Sequence, residues 1–495
     1  MDASVRPEEA PPVLGHAEIR SIIFGIMLAM LLAALDQTIV ATALPTIGAD
    51  LNDFTNLSWV VTAYLLASTA VTPLYGKLSD IHGRGVMMTG AIIMFTLGSI
   101  ACALAPSMLV LILARGLQGL GGGGLISLAQ TIIADIIPPR ERGRYQAQIA
   151  SVFAASSIAG PVLGGVMAQH LDWSMIFWIN LPLGLGAFLM IRKIMGRLPR
   201  HERPHKLDLP GALLLIVSAV CLMLALSWGG VSYPWASIEV IGLLVIAGIG
   251  SVVFVWRMRT TSEPFLPLDM MSNQVVATGI AAAFFMYGLM IALTIVTPLY
   301  FESSWHLSSS AAGLALIPQM AGTVAGAISS GRAMARLKNY KLPALVGSVA
   351  STICLAVMAT LPAGGSQGLQ IGLLTIASIG MGTVFPLSTV AIQNAVPPHQ
   401  LGTVTGAANF FRALGGALFV SVLGAVLLGT IGSGEAGDMS ALTANAAPAL
   451  LLYAFHLVFG TAAAVSLLGT LCVFAMRQLP LRASVQHNAE LSLVE

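Results

Sequence analysis

The sequence predicts an all-α membrane protein with fourteen transmembrane helices, arranged as two six-helix bundles and an inserted pair of helices. Three observations lead to this fold class: the composition, a series of apolar segments and an internal repeat. Hydrophobic residues make up 56% of the chain and charged residues only 9%, and the mean hydropathy is +0.87. Soluble proteins carry roughly 25% charged residues, so this chain is expected to have the lipid bilayer as its solvent.

Fourteen segments are long and apolar enough to cross a bilayer as helices, which takes about 20 residues each. They are 20–47, 57–76, 85–105, 107–137, 144–170, 174–195, 208–228, 236–257, 273–301, 309–332, 341–361, 367–395, 401–430 and 448–476. Residues 1–19 lack the short apolar core and small-residue cleavage site of a signal peptide, so the first helix is expected to direct insertion.

Lysine and arginine residues concentrate in alternate loops of this arrangement. With the N-terminus inside, basic residues follow predicted helices 2, 4, 6, 8, 10 and 14, whereas the predicted external loops contain none. Cytoplasmic loops collect basic residues in this way. Because an odd miscount of helices would scramble the pattern, both termini are predicted to lie in the cytoplasm. The expected location is a bacterial inner membrane.

The two halves of the chain repeat a loop sequence. Residues 137–143 (IPPRERG), after helix 4, are echoed by residues 396–402 (VPPHQLG), after helix 12, and the preceding helices share glycines at the same offset. Repeated bundles place a substrate site near the membrane midplane and alternate its access by rocking. Chance recurrence of proline and glycine is the alternative. The repeat predicts five parts of the chain. They are a cytoplasmic tail (1–19), an N-terminal bundle (20–195), a linker with the inserted helices (196–260), a C-terminal bundle (261–476) and a second cytoplasmic tail (477–495).

Helix 1 contains LDQTIVATALPTI at residues 35–47, and the start of helix 6 contains WSMIFWINLPLG at 173–184. The first resembles the L-D-x-T-I-V-N-V-A-L-P-x-I pattern of the fourteen-helix drug:H+ antiporters (EmrB/QacA type) of the major facilitator superfamily. The second is similar to the W-R-W-I-F-x-I-N-x-P-x-G signature of the same branch. Ala41 stands where the family usually has asparagine. The resemblance covers nearly the whole chain and implies the major facilitator fold and proton-coupled drug export.

Asp36 is the one acidic residue at a clearly intramembrane position of the sequence. An ionised carboxylate costs about 2.5 to 3.5 kcal/mol at the centre of an apolar helix, and removal from water favours the protonated form. These properties suit a group that loads and releases a proton, so Asp36 is predicted to couple transport to protons. A purely structural ion pair with a neighbouring helix is the alternative.

Helix 4 carries LARGLQGLGGG at residues 113–123, which is similar to the family's R-x-x-q-G motif. Arg115 is predicted to act with Asp36, because a nearby cation favours the ionised carboxylate and its withdrawal during rocking favours the neutral one. Gln118 from the same motif is predicted to line the cavity. For Arg115 the alternative is a fixed ion pair or a helix cap.

Helix 5 holds SSIAGPVLGG at residues 156–165, which is similar to the antiporter motif g-x-x-x-G-P-x-x-G-G. Proline removes one backbone hydrogen bond and glycine removes bulk, so this segment is predicted to bend and to pack tightly at the interface between the halves. The resemblance implies export rather than uptake, and plain helix packing is the alternative. The motif residues are Gly160, Pro161, Gly164 and Gly165.

The loop GKLSDIHGRG at residues 76–85 resembles the G-x-L-x-D-R-x-G-R-R motif between helices 2 and 3 of the family. It is predicted to form a cytoplasmic latch of ion pairs that breaks during gating, weakened because Ile81 and Gly85 replace basic residues. An ordinary solvated turn is the alternative. The predicted gating residues are Gly76, Asp80, Gly83 and Arg84.

A central cavity is predicted to be lined mainly by aromatic side chains, which suits small hydrophobic or amphiphilic substrates of varied structure. Lipid-facing placement is the alternative for each aromatic residue. Arg412, a cation inside helix 13, faces either the cavity, where it suits anionic or zwitterionic substrates, or the interface between the halves. The candidates are Gln37, Trp59, Tyr64, Gln118, Phe153, Trp178, Phe285, Tyr287, Phe411 and Arg412.

Several classes of function find no support in the sequence. There is no Gly-Lys-Ser/Thr phosphate loop, no cluster of His, Cys, Asp or Glu for a metal or cofactor, and a net charge of only +2 that gives no reason to expect nucleic acid. An enzyme is therefore not expected. The predicted function is proton-coupled export of hydrophobic or amphiphilic compounds by alternating access, with a periplasmic adaptor and outer-membrane channel left open as partners. The alternative is a dedicated exporter or permease for one metabolite, such as a vitamin, siderophore, lipid or aromatic acid.

Overall fold

The computed structural model describes residues 16–194, 207–362, 365–431 and 447–482, and within them the protein is almost entirely helical. A 3₁₀ turn, Pro398–Gln400, precedes the helix that begins at Leu401. The helices are α1 (His16–Asp50), α2 (Trp59–His82), α3 (Arg84–Ala103), α4 (Met108–Ile136), α5 (Pro139–His170), α6 (Met175–Trp178), α7 (Asn180–Ile194), α8 (Leu209–Trp228), α9 (Ile238–Thr260), α10 (Leu268–Ser272), α11 (Gln274–Trp305), α12 (Ser309–Ala315), α13 (Ile317–Arg336), α14 (Leu342–Met358), α15 (Gln367–Asn394), α16 (Leu401–Ile431) and α17 (Pro448–Ala475).

Twelve candidate membrane spans, long and apolar enough to cross a bilayer, occur in the described part of the chain. Two of them join short helices, α6 with α7 and α12 with α13. Helix α14 is apolar but shorter, at 17 residues, and α2 carries threonine, serine and tyrosine among its apolar residues. The expectation of an all-helical membrane protein is confirmed. The number of fourteen spans stays a prediction, and so do the predicted domain boundaries. Parts of the predicted tails and linker, residues 1–15, 195–206 and 483–495, lie outside the described residues.

Capping residues and glycine set the ends of several helices. The Asn273 side-chain oxygen accepts hydrogen bonds from the amides of Val275 and Val276, at 2.9 and 3.4 Å, and so satisfies free donors at the start of α11. Helices α2 and α3 are separated by Gly83 alone, whose φ of +91° is strained for any residue with a Cβ atom. The chain therefore turns sharply between these two helices.

The helix packing of the first half recurs in the second. Helix α1 packs on α5 and α7, while α2 and α3 pack on α4. In the same order, α11 packs on α16 and α17, while α13 and α14 pack on α15. Helices α8 and α9 pack on each other, and α8 also touches α2 and α16. The two bundles thus form a pair with related packing, and α8 and α9 lie against one side of this pair.

The bundles meet through two pairs of glycines. A Cβ atom on Gly143 would lie 2.6 Å from the carbonyl oxygen of Gly331, and a Cβ atom on Gly76 would overlap the carbonyl of Gly402. These contacts join α5 to α13 and α2 to α16. Both lie where the loops after α2, α4, α13 and α15 gather. Glycine is needed there because the backbones of the two halves touch; we call this end of the molecule the closed end.

The outer faces of the helices expose large apolar side chains. Leu109, Val252, Trp256 and Phe474 are all more than half exposed. A soluble protein rarely exposes so many apolar groups together. Such a surface is suited to lipid, in agreement with the composition.

Candidate functional site

A cavity of about 1570 Å³ lies between the two bundles. Helices α1, α2, α4 and α5 form one wall, and α11, α13, α15 and α16 form the other. The end of α8 and the hairpin after it, residues 229–235, border the cavity away from the closed end. The space is therefore shut at one end and bordered by the hairpin at the other.

The wall of this cavity is mostly apolar and carries little charge. Among the lining residues in the described part of the chain, Arg412 is the one charged side chain, and none is aspartate or glutamate. Neutral polar groups come from glutamine, asparagine, serine and threonine residues, including Gln130, Gln146 and Gln319. The cavity suits molecules with a large apolar body.

Four of the ten residues predicted at the cavity line it. Gln37 is contributed by α1, Phe153 by α5, Tyr287 by α11 and Arg412 by α16. The Tyr287 ring packs edge-on against Phe385, with centroids 5.5 Å apart. Both bundles therefore supply aromatic and polar side chains to the same space.

The structure places the other six outside the cavity wall, which corrects the sequence prediction for them. Trp59 packs edge-on against Trp228, with centroids 5.8 Å apart, and Phe285 packs against its neighbours Phe284 and Phe419. Phe285 and Tyr287 are two residues apart, which is about 200° around a helix, so they face different ways. The six are Trp59, Tyr64, Gln118, Trp178, Phe285 and Phe411.

Asp36 lies at the centre of a buried charge network that joins four helices of the first bundle. Its side chain has no solvent exposure. One carboxylate oxygen accepts a hydrogen bond from Arg115 Nη1 at 2.7 Å, and the other accepts from Gln118 Nε2 at 2.8 Å and from Asn180 Nδ2 at 3.0 Å. Gln118 and Asn180 also donate to the Ser99 hydroxyl, at 2.7 and 3.1 Å. The carboxylate is thus held by three donors on two helices, α4 and α7.

Arg115 is held from three directions. Besides its ion pair with Asp36, its Nε donates to the carbonyl oxygen of Val60 on α2, at 3.0 Å. Its guanidinium lies 4.4 Å from the centroid of the Tyr64 ring, a cation–π distance. Tyr64 touches Gly122, which lines the cavity, so that this ring lies close to the cavity wall. Neither Asp36 nor Arg115 is part of that wall.

The predicted gating residues all lie at the closed end. Asp80 on α2 accepts hydrogen bonds from the amides of Gly402 and Thr403, at 3.0 and 2.7 Å, and from the Thr403 hydroxyl at 2.6 Å. Arg84 pairs with Asp80 and, at 2.8 Å, with Asp135. A carboxylate at the start of α16 is favoured by the helix dipole. We call this cluster the interbundle latch, since it ties α2 of one bundle to α16 of the other.

The sequence analysis predicted the glycine motif of α5 at the interface between the halves, but the structure packs this motif within the first bundle. A Cβ atom on Gly160 would overlap Thr38, and one on Gly164 would overlap Thr42, both on α1. Thr38 also donates to the carbonyl oxygen of Ser156 at 2.9 Å. Pro161 is exposed, and a Cβ atom on Gly165 would meet nothing within 4 Å. The reason is helical phase: Gly160 and Gly164 share one face of the helix, while Pro161 and Gly165 lie on the next.

The sequence matches the model of the Major Facilitator Superfamily over residues 26–420. The chain belongs to the major facilitator superfamily. It is therefore a multi-pass membrane transporter and not an enzyme. The buried network, the cavity and the interbundle latch are parts of a transporter that has two bundles with related packing.

Relatives of this transporter are named for multidrug transport. It is 35% identical over 414 residues to Multidrug resistance protein 3 of Bacillus subtilis, covering 83% of this chain and 80% of the relative. It is 34% identical over 408 residues to Multidrug transporter protein MdtP of the same organism, covering 82% and 75%. The human organic anion transporter MFSD10 (TETRAN) has a similar fold, with a TM-score of 0.63, 18% identity, and coverage of 92% and 99%.

Three partners in these clusters were missed by the sequence analysis. Ser99 and Asn180 complete the network around Asp36, and Asp135 pairs with Arg84 in the latch. Asn180 lies inside the 173–184 signature, and Asp135 is an acidic residue near the end of an apolar helix, so the sequence contained a sign that each could be functional. Ser99 gave none, since serine is common in membrane helices. In the described residues no group of three or more His, Cys, Asp or Glu side chains is placed to hold a metal ion.

Proposed function

We propose that this transporter exports hydrophobic and amphiphilic compounds in exchange for protons, by alternating access. One observation carries the proposal: a large apolar cavity between the bundles adjoins a fully buried carboxylate that is paired with an arginine on another helix. A cavity of this size accommodates drug-sized molecules. The names of the two Bacillus subtilis relatives favour export of several drugs over transport of one metabolite.

Asp36 is the proposed proton-coupling group, and Arg115 its partner. Removing the charge of one member of a buried ion pair leaves the other uncompensated, at a cost of about 3 to 5 kcal/mol. Protonation of Asp36 therefore weakens the hold of α1 on α4 and changes the relative stability of the two conformations. A conformational step that lets Asp36 reach water on one side and then the other completes the exchange.

In the proposed orientation, the closed end lies on the cytoplasmic side and the cavity faces away from the cytoplasm. The closed end gathers Arg140, Arg144, Arg332, Arg336 and Lys338 on the loops and helix ends around it. Basic residues of this kind favour the cytoplasmic side. The interbundle latch is then a cytoplasmic gate that must break before substrate enters from the cell.

We propose fourteen spans for this transporter, with α2 and α14 crossing the bilayer beside the twelve more apolar segments. An even number keeps both termini in the cytoplasm of a bacterium, with the protein in the inner membrane. Both helices pack inside a bundle, α2 on α4 and α14 on α15, as membrane helices do. For substrates that must also cross an outer membrane, the proposed partners are a periplasmic adaptor and an outer-membrane channel, which co-purification would test.

Transport by the purified full-length protein in proteoliposomes, driven by an imposed pH gradient, tests the function. A panel of lipophilic cations, neutral drugs, organic anions and single metabolites separates broad export from a dedicated carrier. Asp36→Asn is expected to abolish gradient-driven transport while allowing downhill exchange of substrate. Glu239→Gln, which removes an exposed carboxylate at the start of α9, is the matched control and is expected to behave as wild type. Full proton-driven transport by Asp36→Asn would remove Asp36 from the mechanism.

A further inference from the structure

We infer that the cavity contains a subsite for an anionic group, centred on Arg412, and that the preferred substrates are amphiphiles with a carboxylate, sulfonate or phosphate. The inference rests on the proposed function, in which the cavity is where substrate binds. It goes further because it names a charge for the substrate and a residue that recognises it.

Arg412 lies in the cavity wall without a carboxylate partner in the described parts of the chain. Its Nη1 donates to the Asn409 side-chain oxygen at 3.1 Å, and its Nη2 donates to the Thr389 hydroxyl at 3.2 Å. Its Nε has no hydrogen-bond partner. The guanidinium also lies 5.5 Å from the centroid of the Tyr287 ring. All of these neighbours are neutral, so the positive charge is uncompensated.

The other arginines that pair across helices here are compensated. Arg115 meets Asp36, Arg84 meets Asp80 and Asp135, and Arg257 meets Asp208. The buried Arg142 has no such ion pair within the described residues, but it lies outside the cavity wall and donates to backbone carbonyl oxygens at the end of α4. A cation removed from bulk water is costly unless it is paired. The described part of the chain thus supplies counter-ions for three arginines and leaves Arg412 to face the cavity. An anionic group that enters the cavity would supply the missing counter-ion.

The rest of the cavity favours an amphiphilic anion over a small inorganic one. Its wall is mostly apolar, and its described lining has no acidic side chain to attract a cation or repel an anion. Gln146 Nε2 and the two polar side-chain atoms of Gln319, Oε1 and Nε2, are buried in this wall without hydrogen-bond partners. They can therefore form hydrogen bonds with polar groups of a ligand. The apolar wall binds the body of the molecule, and the guanidinium binds its head in a planar, often bidentate geometry.

The depth of Arg412 in the cavity agrees with this role. It lies 11 residues after the first residue of α16, Leu401, which corresponds to roughly 16 Å along the helix axis at 1.5 Å per residue. The subsite is therefore nearer the closed end than the hairpin at 229–235. A substrate that enters through the hairpin end, or leaves through it, must pass the apolar part of the cavity.

Binding of two fluorescent probes to the full-length protein in nanodiscs of zwitterionic lipid tests the inference. 1-Anilinonaphthalene-8-sulfonate carries a sulfonate, and N-phenyl-1-naphthylamine has the same ring scaffold without it. Arg412→Gln is expected to weaken binding of the sulfonate about tenfold or more and to change binding of the neutral probe by less than about threefold, where tenfold corresponds to about 1.4 kcal/mol. Arg412→Lys keeps the positive charge and should retain most of the preference. Arg259→Gln removes an exposed arginine at the end of α9 and should change neither affinity.

An equal change for both probes, or unchanged sulfonate binding in Arg412→Gln, would overturn the inference. If Arg412→Gln does not fold, displacement from the wild-type protein decides: octyl sulfonate should displace the sulfonate probe, and octyltrimethylammonium should not. Equal displacement by the cation would contradict the inference. The anionic group could come from a dissolved amphiphile or from the head group of a membrane lipid, and adding anionic lipid to the nanodiscs separates these two sources. A lipid head group in the site would weaken probe binding in wild type but not in Arg412→Gln.

The same measurements keep this inference apart from the proposed function. Binding is measured without a pH gradient and therefore reports the subsite alone, whereas proton-driven transport reports the proposed coupling. Transport of anions without proton exchange would refute the proposed coupling and leave the subsite intact. Proton-driven export with no preference for anions would refute the subsite and leave the proposed coupling intact.

Discussion

Replacing the Asp80 carboxylate should open the closed end of the transporter. Asp80→Asn keeps one oxygen acceptor but loses the charge that three donors of α16 now share, from the amides of Gly402 and Thr403 and the Thr403 hydroxyl. Hydrogen bonds to a charged group contribute about 1.5 to 3 kcal/mol each, and a charge at a helix N-terminus adds about 0.3 to 1 kcal/mol. Because asparagine retains part of this set, we expect the closed conformation to lose about 2 to 4 kcal/mol relative to the open one. The equilibrium constant for opening should then rise roughly 30- to 700-fold.

The distance between the bundles at this end reports the change directly. Spin labels at His82 and Lys338, which are exposed on opposite bundles, are introduced in a background without the four native cysteines. Wild type should give a short distance, and Asp80→Asn should add a longer one. Thr403→Val removes only the hydroxyl hydrogen bond and should shift the equilibrium by about 1 kcal/mol, or roughly fivefold. Asp269→Asn, at an exposed carboxylate on α10, is the control. An unchanged distance distribution in Asp80→Asn would show that this carboxylate does not hold the bundles together.

Two pairs of glycine substitutions give further predictions, each with its own control. Gly160→Ala should lower the free energy of unfolding by about 1 to 3 kcal/mol, because the added methyl group overlaps Thr38. Gly165→Ala has open space around it and should be neutral or slightly stabilising in the same unfolding measurement. Equal effects of the two would contradict the packing of α5 on α1. On α4, Gly122→Ala should displace Tyr64 and reduce proton-driven transport, while Gly116→Ala, also in open space, should not. Retention of full transport by Gly122→Ala would show that the position of Tyr64 over Arg115 does not matter for coupling.

The sequence is most informative where a residue type is costly in its surroundings. Asp36 and Arg115 can be anticipated as partners because each charge lies deep in an apolar helix, and the structure pairs them at 2.7 Å. Glycine in a loop motif signals a close approach, but it does not name the partner. The contact of Gly76 with Gly402, and the packing of Gly160 on α1 instead of the other bundle, depend on the tertiary arrangement.

The facing of aromatic residues could not be predicted, for a physical reason. Helices α11 and α16 are apolar on all sides, so their hydrophobicity has no strong helical period that separates the cavity face from the lipid face. Phe285 and Tyr287 on α11 are equally plausible cavity residues by sequence, and only the packing of Phe285 on Phe419 decides between them. A buried polar partner such as Ser99 is missed for the same reason, since nothing local sets it apart.

The positions of the network and the cavity restrict how proton and substrate can be coupled. On α1, Gln37 and Thr38 line the cavity, while the adjacent Asp36 is turned into the network. On α4, Gly122 lines the cavity and Arg115, two turns earlier, lies in the network. Proton and substrate therefore do not compete for the same atoms in this conformation. In the proposed mechanism they act on the same two helices at different positions, so protonation of Asp36, by weakening the hold of α1 on α4, alters the shape of the cavity wall that these helices form.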